Sequence, residues 1–423
     1  MMFAATYVQT VTWCIAAVAT GGVILRPWGL PEAVWAVLGA MALVLLSLLP
    51  WTAALAAIAK GLDVYFFLVG MMVLAELARE EGLFDWLAAY AVGHARGSQS
   101  RLFALVYCVG IVVTVFLSND ATAVVLTPAV YAAAKAAKAE PLPYLFICAF
   151  IANAASFVLP ISNPANLVLY GSQMPPLTSW LAQFALPSAV AIAATYVALR
   201  FTQRGNLQAP IAKQVAVPEL SAGGRLVAAG IALTAVVLLA ASAFDRELGL
   251  PTFLAGTLTT AAILLLNRQS PWPLLKGVSW SVLPLVAGLF ILVAGLEHTG
   301  VIRALATALQ SAAEKSASGA AWWSGLLLAF ACNLMNNLPA GLVAASTAAS
   351  AHAPAVVTGA LLIGVDLGPN LSVTGSLATI LWLVALRRED ENVGALEFLR
   401  LGIIVMLPAL VLALATLIFF QSR

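Results

Sequence analysis

The sequence predicts an all-α polytopic membrane protein made of two inverted repeats of five spans. Each repeat carries one re-entrant hairpin and one broken helix, giving about ten transmembrane helices plus two hairpins. Three observations predict this class. Of 423 residues, 62% are hydrophobic and only 9% are charged, against about 25% charged in an ordinary soluble domain. The apolar residues fall in blocks of about 17–25, the length that crosses a bilayer. The order of blocks and polar interruptions is the same in the two halves.

Spans are expected near 7–25, 33–50 and 62–80, each a continuous apolar block. A short amphipathic segment follows, Gly82-Leu-Phe-Asp-Trp-Leu-Ala-Ala-Tyr90. The stretch 101–137 is apolar at both ends and polar in the middle, so it reads as a hairpin with Ser118-Asn-Asp-Ala-Thr122 at its tip. The fourth span, 141–171, is broken at Asn163-Pro-Ala-Asn-Leu-Val-Leu-Tyr-Gly171, and 176–200 closes the half. The polar stretch 201–222 is expected to be a cytoplasmic linker between repeats 1–200 and 223–423.

The second half repeats the plan. Spans are expected at 223–243, 250–267 and 278–297, then the amphipathic Gly300-Val-Ile-Arg-Ala-Leu-Ala-Thr-Ala308 and a hairpin at 320–351 with Asn336-Asn-Leu-Pro-Ala-Gly341 at its tip. A broken span, 355–386, carries Asp366-Leu-Gly-Pro-Asn-Leu-Ser-Val-Thr-Gly375, and 397–420 is the last. The two breaks share Asn-Leu-x-x-x-Gly after a proline, which pairs Asn166 with Asn370. Reading each hairpin as two full spans gives twelve spans and the same parity. An odd number of spans per half inverts the second copy, the plan of secondary transporters whose sites form at midplane from discontinuous helices.

Orientation follows from the basic residues. In the ten-span arrangement fifteen of the twenty, among them Arg79, Lys213 and Arg388, fall on one side. The other five are Lys60, Arg246, Arg303, Lys315 and Arg423. The rule that positive charge stays inside places the fifteen in the cytoplasm and both termini in the periplasm. No cleavable signal peptide is expected, since the start lacks a basic region. A net charge of +2 implies no nucleic-acid patch. The four cysteines have no metal or disulfide spacing, and His94, His298 and His352 fall in loops or at interfaces, so no metal or cofactor is expected. Glu76, Glu297 and Asp63 sit near span ends and read as interfacial. The tryptophans read mainly as interface anchors.

The candidate site lies in the four interruptions. Asp120 is the only charged residue between Arg101 and Lys135, and Asp366 the only full charge between Lys315 and Arg387. A carboxylate at bilayer depth costs several kcal/mol unless it faces protein, water or a partner. Around the two lie Ser118, Asn119, Thr122, Ser162, Asn163, Asn166, Asn336, Asn337, Asn370, Thr374 and Ser376, all hydrogen-bonding and neutral. Read blandly, each acid is a helix cap and each amide glues helices. Their clustering at four matched breaks favours a binding site. None of the four motifs holds Lys or Arg, the residues that a dicarboxylate or oxyanion recruits. A neutral polyhydroxylated solute or a cation fits better, with one or both aspartates moving a coupling proton.

Phe116-Leu-Ser-Asn-Asp-Ala-Thr-Ala-Val-Val-Leu-Thr-Pro128, Asn336-Asn-Leu-Pro-Ala-Gly-Leu-Val343 and Gly364-Val-Asp-Leu-Gly-Pro-Asn-Leu-Ser-Val-Thr-Gly-Ser-Leu-Ala-Thr-Ile-Leu-Trp382 resemble the signature segments of the ArsB-type arsenite efflux permeases, within the ion transporter superfamily. The likeness runs through essentially the whole chain. It implies export of arsenite and antimonite, as neutral trihydroxides, across the bacterial inner membrane in exchange for protons. It also implies true re-entrant hairpins, and brings two optional partners, a cytoplasmic ATPase and a second copy of the chain. Dicarboxylate carriers of the superfamily are expected to have Ser-Asn-Thr at both tips. Here the tips are Ser118-Asn119-Asp120 and Asn336-Asn337-Leu338, which argues against that branch. A sodium/proton antiporter is the alternative. No nucleophile–base pair or HExxH motif points to an enzyme.

Overall fold

The computed structural model describes residues 2–212, 217 and 219–421. Lys213 and Arg423, counted above among the basic residues, lie outside the described residues, as do parts of the 201–222 linker. All regular structure among the described residues is helical, apart from one isolated bridge between Ser98 and Pro210.

The first half begins with α1 (Met2–Leu25), α2 (Glu32–Leu45), α3 (Trp51–Lys60) and α4 (Leu62–Glu80). The expected span 33–50 stops early. Ser47 turns into the left-handed region at φ 56° and Pro50 starts a new helix, so 51–60 becomes α3, which meets α4 at a 47° bend by Gly61. At 14 residues α2 is about 21 Å long, short of the ~30 Å apolar core. The amphipathic segment is α5 (Leu83–Ala95). The hairpin is α6 (Gln99–Phe116), α7 (Asn119–Ala121), a π-helical turn Thr122–Leu126, and α8 (Thr127–Ala136). The broken span is α9 (Leu142–Ala154) and α10 (Pro164–Tyr170), and α11 (Leu177–Thr202) closes the half.

The second half runs α12 (Ala222–Ala243), α13 (Gly249–Leu266), α14 (Trp272–Gly277), α15 (Val282–His298) and the amphipathic α16 (Val301–Lys315). Its hairpin is α17 (Ala317–Met335) and α18 (Asn337–Ser350), its broken span α19 (Ala355–Leu367) and α20 (Leu377–Arg388), and its last helix α21 (Ala395–Gln421). Among the described residues eight helices are long and apolar enough to cross a membrane, nine with the α3–α4 pair. Two of the eight, α6 and α17, are hairpin arms. The remaining six, together with α2, α4 and the two broken pairs, make up the ten expected spans.

The halves exchange reciprocal contacts. α4 packs on α13 while α15 packs on α2; α1 lies on α2 while α12 lies on α13; α11 and α21 pack on each other. Backbones touch at these crossings. A side chain at Gly256 would run into the Gly70 carbonyl, and one at Gly288 into the Ala36 backbone. Small residues permit such approach in lipid, where dispersion replaces the hydrophobic effect as the driving force. The centre is α9, α10 and α19, almost every residue of which is buried. The outer helices turn apolar side chains such as Val197, Leu233, Leu258 and Leu265 outward, where lipid would cover them.

Candidate functional site

The four interruptions form one connected structure. Helices that stop at membrane depth leave orphan N–H groups, and each interruption supplies a Ser or Asn to cap the next helix. Ser118 accepts from Ala121 N (3.1 Å), Asn163 from Ala165 N (3.0 Å), Asn336 from Leu338 N (3.3 Å) and Ser376 from Thr379 N (3.1 Å). The hairpin tips are enclosed by protein: Ser118 is 7% exposed, Asn119 3%, Asn336 4% and Asn337 3%. Two full spans would instead put each tip in water at the membrane surface, so the segments are re-entrant. Asn336 holds its cap at φ 73°, a strained backbone for a residue with a Cβ.

Links run from break to break. Ser162 Oγ donates to the Val115 carbonyl (3.1 Å), joining the first broken span to the first hairpin. Asn337 N donates to the Gly375 carbonyl (2.9 Å), and Thr374 Oγ1 to the Asn333 carbonyl (3.0 Å), joining the second pair. The halves meet where Asn153 Nδ2 donates to Asn370 Oδ1 (2.9 Å) and Asp366 Oδ1 accepts from Ser156 Oγ (2.7 Å) and Asn163 Nδ2 (2.5 Å). Asn166 Nδ2 donates to the Ser156, Leu159 and Pro160 carbonyls, and Asn370 Nδ2 to the Phe150 carbonyl, so both amides hold broken backbone. Thr122 bonds Thr114 (2.8 Å) at the π-helical turn. Trp180 and Trp382 are fully buried and donate to the Phe157 and Leu145 carbonyls, unlike the interface anchors expected of tryptophan.

The repeat register differs from the one the proline motifs suggest. Both breaks span nine residues, 155–163 and 368–376. Aligned by their helix ends, Asn163 matches Ser376, Asn166 matches Thr379, and Asp366 matches Asn153. The shared Asn-Leu-x-x-x-Gly is therefore a coincidence: Asn166 lies within α10 after its break, and Asn370 lies inside its break. Asp120 matches Leu338, so the two aspartates are not counterparts. Asn153 was hidden from sequence reasoning in a helix with no Pro or Gly beside it.

Two cavities flank this centre. One, of about 710 Å³, is lined by Lys60, Asp63, Tyr170, Glu297, Leu342 and His352, with walls from α10 and α18. The other, of about 640 Å³, is lined by Glu76, Arg79, Ser118, Asp120, Pro164, Leu381 and Arg388, with walls from α7, α8 and α20. Each cavity thus takes one hairpin arm from one half and one broken-span piece from the other. Of the candidate residues only Ser118 and Asp120 line either of these two cavities. Among the described residues the Asp120 carboxylate has no hydrogen-bond or ion-pair partner, so it is open to whatever enters. Asp366 is 0% exposed and its Oδ2 has no hydrogen-bond partner. Glu76 is buried rather than interfacial, and accepts from Arg79 Nε and Nη2 (3.0 and 2.5 Å).

The citrate transporter family model matches residues 15–366. The chain belongs to this family. It is a multi-pass membrane transporter. It is 29% identical to the arsenical pump membrane protein of Yersinia enterocolitica over 82% of this chain and 84% of that protein. It is 28% identical to the arsenical pump membrane protein of Escherichia coli K12 over the same shares. In structure it resembles the YdaH transporter of Alcanivorax borkumensis, with a TM-score of 0.61 over 88% of each chain at 15% identity, a likeness of fold.

Proposed function

We propose that the protein is a secondary active transporter of the bacterial inner membrane that exports arsenite and antimonite, as neutral trihydroxides, in exchange for protons. The observation that carries the reading is the chemistry of the four joined breaks. They offer hydroxyls, amides and carboxyl groups between two cavities, one of which Ser118 and Asp120 line, and no Lys or Arg. Hydroxyl and amide groups can both donate to and accept from a trihydroxide. A citrate-like substrate would meet the Asp120 carboxylate with no compensating cation in the breaks, since Arg79 and Arg388 of that cavity lie outside them and Arg79 is paired with Glu76, and it would have to be desolvated there. The similarity to arsenical pump membrane proteins supports the same substrate.

In this reading residues 1–200 and 223–423 are the two inverted repeats, 201–222 links them in the cytoplasm, and both termini are periplasmic. The cavity beside Arg79 and Arg388 opens inward and the cavity beside Lys60 opens outward. A proton carried by Asp120 or Asp366 enters as the metalloid hydroxide leaves, while Ser118, Asn119, Thr122, Asn163, Asn166, Asn336, Asn337, Asn370, Thr374 and Ser376 bind solute or hold the backbone that binds it. A cytoplasmic ATPase subunit and a second copy of the chain are optional partners in this reading.

The test is arsenite uptake into everted membrane vesicles under an imposed pH gradient, without ATPase. Uptake should follow the gradient and stop when it is collapsed. Uptake indifferent to the gradient sinks the mechanism. Sodium-dependent pH change with no arsenite response transfers the protein to sodium/proton antiport.

A further inference from the structure

We propose that Asp366 is a positioning residue, and that coupling in the cycle proposed above, on which this inference rests, falls to Asp120 alone. Three observations separate the two acids. The first is access. Asp366 is sealed and lines neither cavity, whereas Asp120 lines the cavity on the Arg79 side. A group that loads and unloads a proton each cycle must meet water or a relay at some stage.

The second is bonding. Asp366 Oδ1 is held by Ser156 Oγ and Asn163 Nδ2, and Asn163 in turn caps α10 through Ala165 N. Residues 167–170 of that helix line the opposite cavity. Asp366 therefore fixes the start of a first-half helix from the second half. The third is the register. Asn153, its counterpart, also reaches across to the broken span of the other half, but with a neutral amide and to different positions, bonding Asn370 and, at 3.5 Å, Thr379. The mirrored place is filled without a charge, so the function of the pair is hydrogen bonding across the halves.

The surroundings agree. The buried Cys332 thiol of α17 lies within electrostatic range of Asp366. The charged groups that share the cavity with Asp120 are Glu76 and Arg79 from α4, Asp85 from α5, and Arg388 and Glu389 at the end of α20. Asp120 shares this cavity with them, so a proton can reach its carboxylate from that side of the membrane.

Full-length protein in proteoliposomes decides the matter with two readouts, the dependence of arsenite uptake on the imposed pH gradient and the thermal unfolding midpoint. D120N should unfold with wild type and lose the gradient dependence, with recovery in D120E. D366N keeps an acceptor for Ser156 and Asn163; it should transport more slowly and unfold a few degrees earlier, yet accelerate with the gradient by the same factor as wild type. D366A should unfold earlier still. The proposal is overturned by a D366N protein that unfolds with wild type but ignores the gradient, or by a D120N protein that keeps full dependence. Should wild type itself show no gradient-driven arsenite uptake, the transport reading falls. The positioning role then stands or falls on the melting order alone, and D366A unfolding with wild type refutes it.

Discussion

Adding one methyl group to Gly364 should damage the site through geometry alone. Gly364 sits where α19 crosses α17, and an added Cβ would overlap the Gly325 carbonyl oxygen by about 1 Å relative to ordinary contact, with Ala329 N at 3.3 Å. Both obstacles are backbone, so no rotamer change relieves them and the helices must part. Asp366 lies two residues further along α19. Its bonds of 2.7 and 2.5 Å would lengthen to about 3.5 Å or more, beyond useful hydrogen-bonding range. Overpacking of this kind costs about 1–3 kcal/mol, and loss of a hydrogen bond to a buried charged group adds about 1.5–3 kcal/mol. Gly341→Ala is the control, since its added Cβ meets only Val168 and Val365 at 3.8 Å. Thermal unfolding of detergent-purified protein, followed by arsenite uptake in vesicles, should show a marked fall for Gly364→Ala and wild-type behaviour for Gly341→Ala. Equal behaviour of the two variants would refute the close-approach argument.

Other substitutions test neighbouring parts. Asn166→Ala strands the buried Ser156 and Pro160 carbonyls of the first break, the Leu159 carbonyl keeping Ser162 N, and should destabilise by about 1–3 kcal/mol, read as a lower unfolding midpoint with slower uptake. Asn336→Gly relieves a backbone strain worth about 1–3 kcal/mol and gives up a cap worth a few tenths, so the protein should unfold later; uptake assays should show it transporting no faster. Cys332→Ala should retain arsenite uptake within about twofold, because the thiol lies away from both cavities and truncating a buried side chain costs about 1 kcal/mol. Lost uptake at unchanged stability would make that sulfur a ligand.

Much of the fold was legible because lipid imposes length and apolarity on every span. The ten expected blocks and both hairpins are present, and the amphipathic segments became α5 and α16. Helix α3 was missed because a break at Leu46-Ser47 needs only one residue in the left-handed region, and no glycine announces it. The breaks were found through their Pro, Asn and Ser, but the pairing between halves was not. A short motif can recur at different depths along a helix, and only the helix ends set the register that matches Asp366 to Asn153. Glu76 looked interfacial because its position in the chain lies near a span end, while its burial depends on where α14 folds across it. Isolated charge thus located both aspartates, but only three-dimensional packing told the open one from the sealed one.

The Asp366–Asn153 match has a consequence for how such a chain arises. A dimer of identical subunits must place the same residue at both symmetry-related positions, so it holds two acids there or none. Joining the copies into one polypeptide removes that restriction. Here one copy keeps a carboxyl group and the other an amide, so the matched pair holds one titratable acid where strict symmetry would allow only two or none.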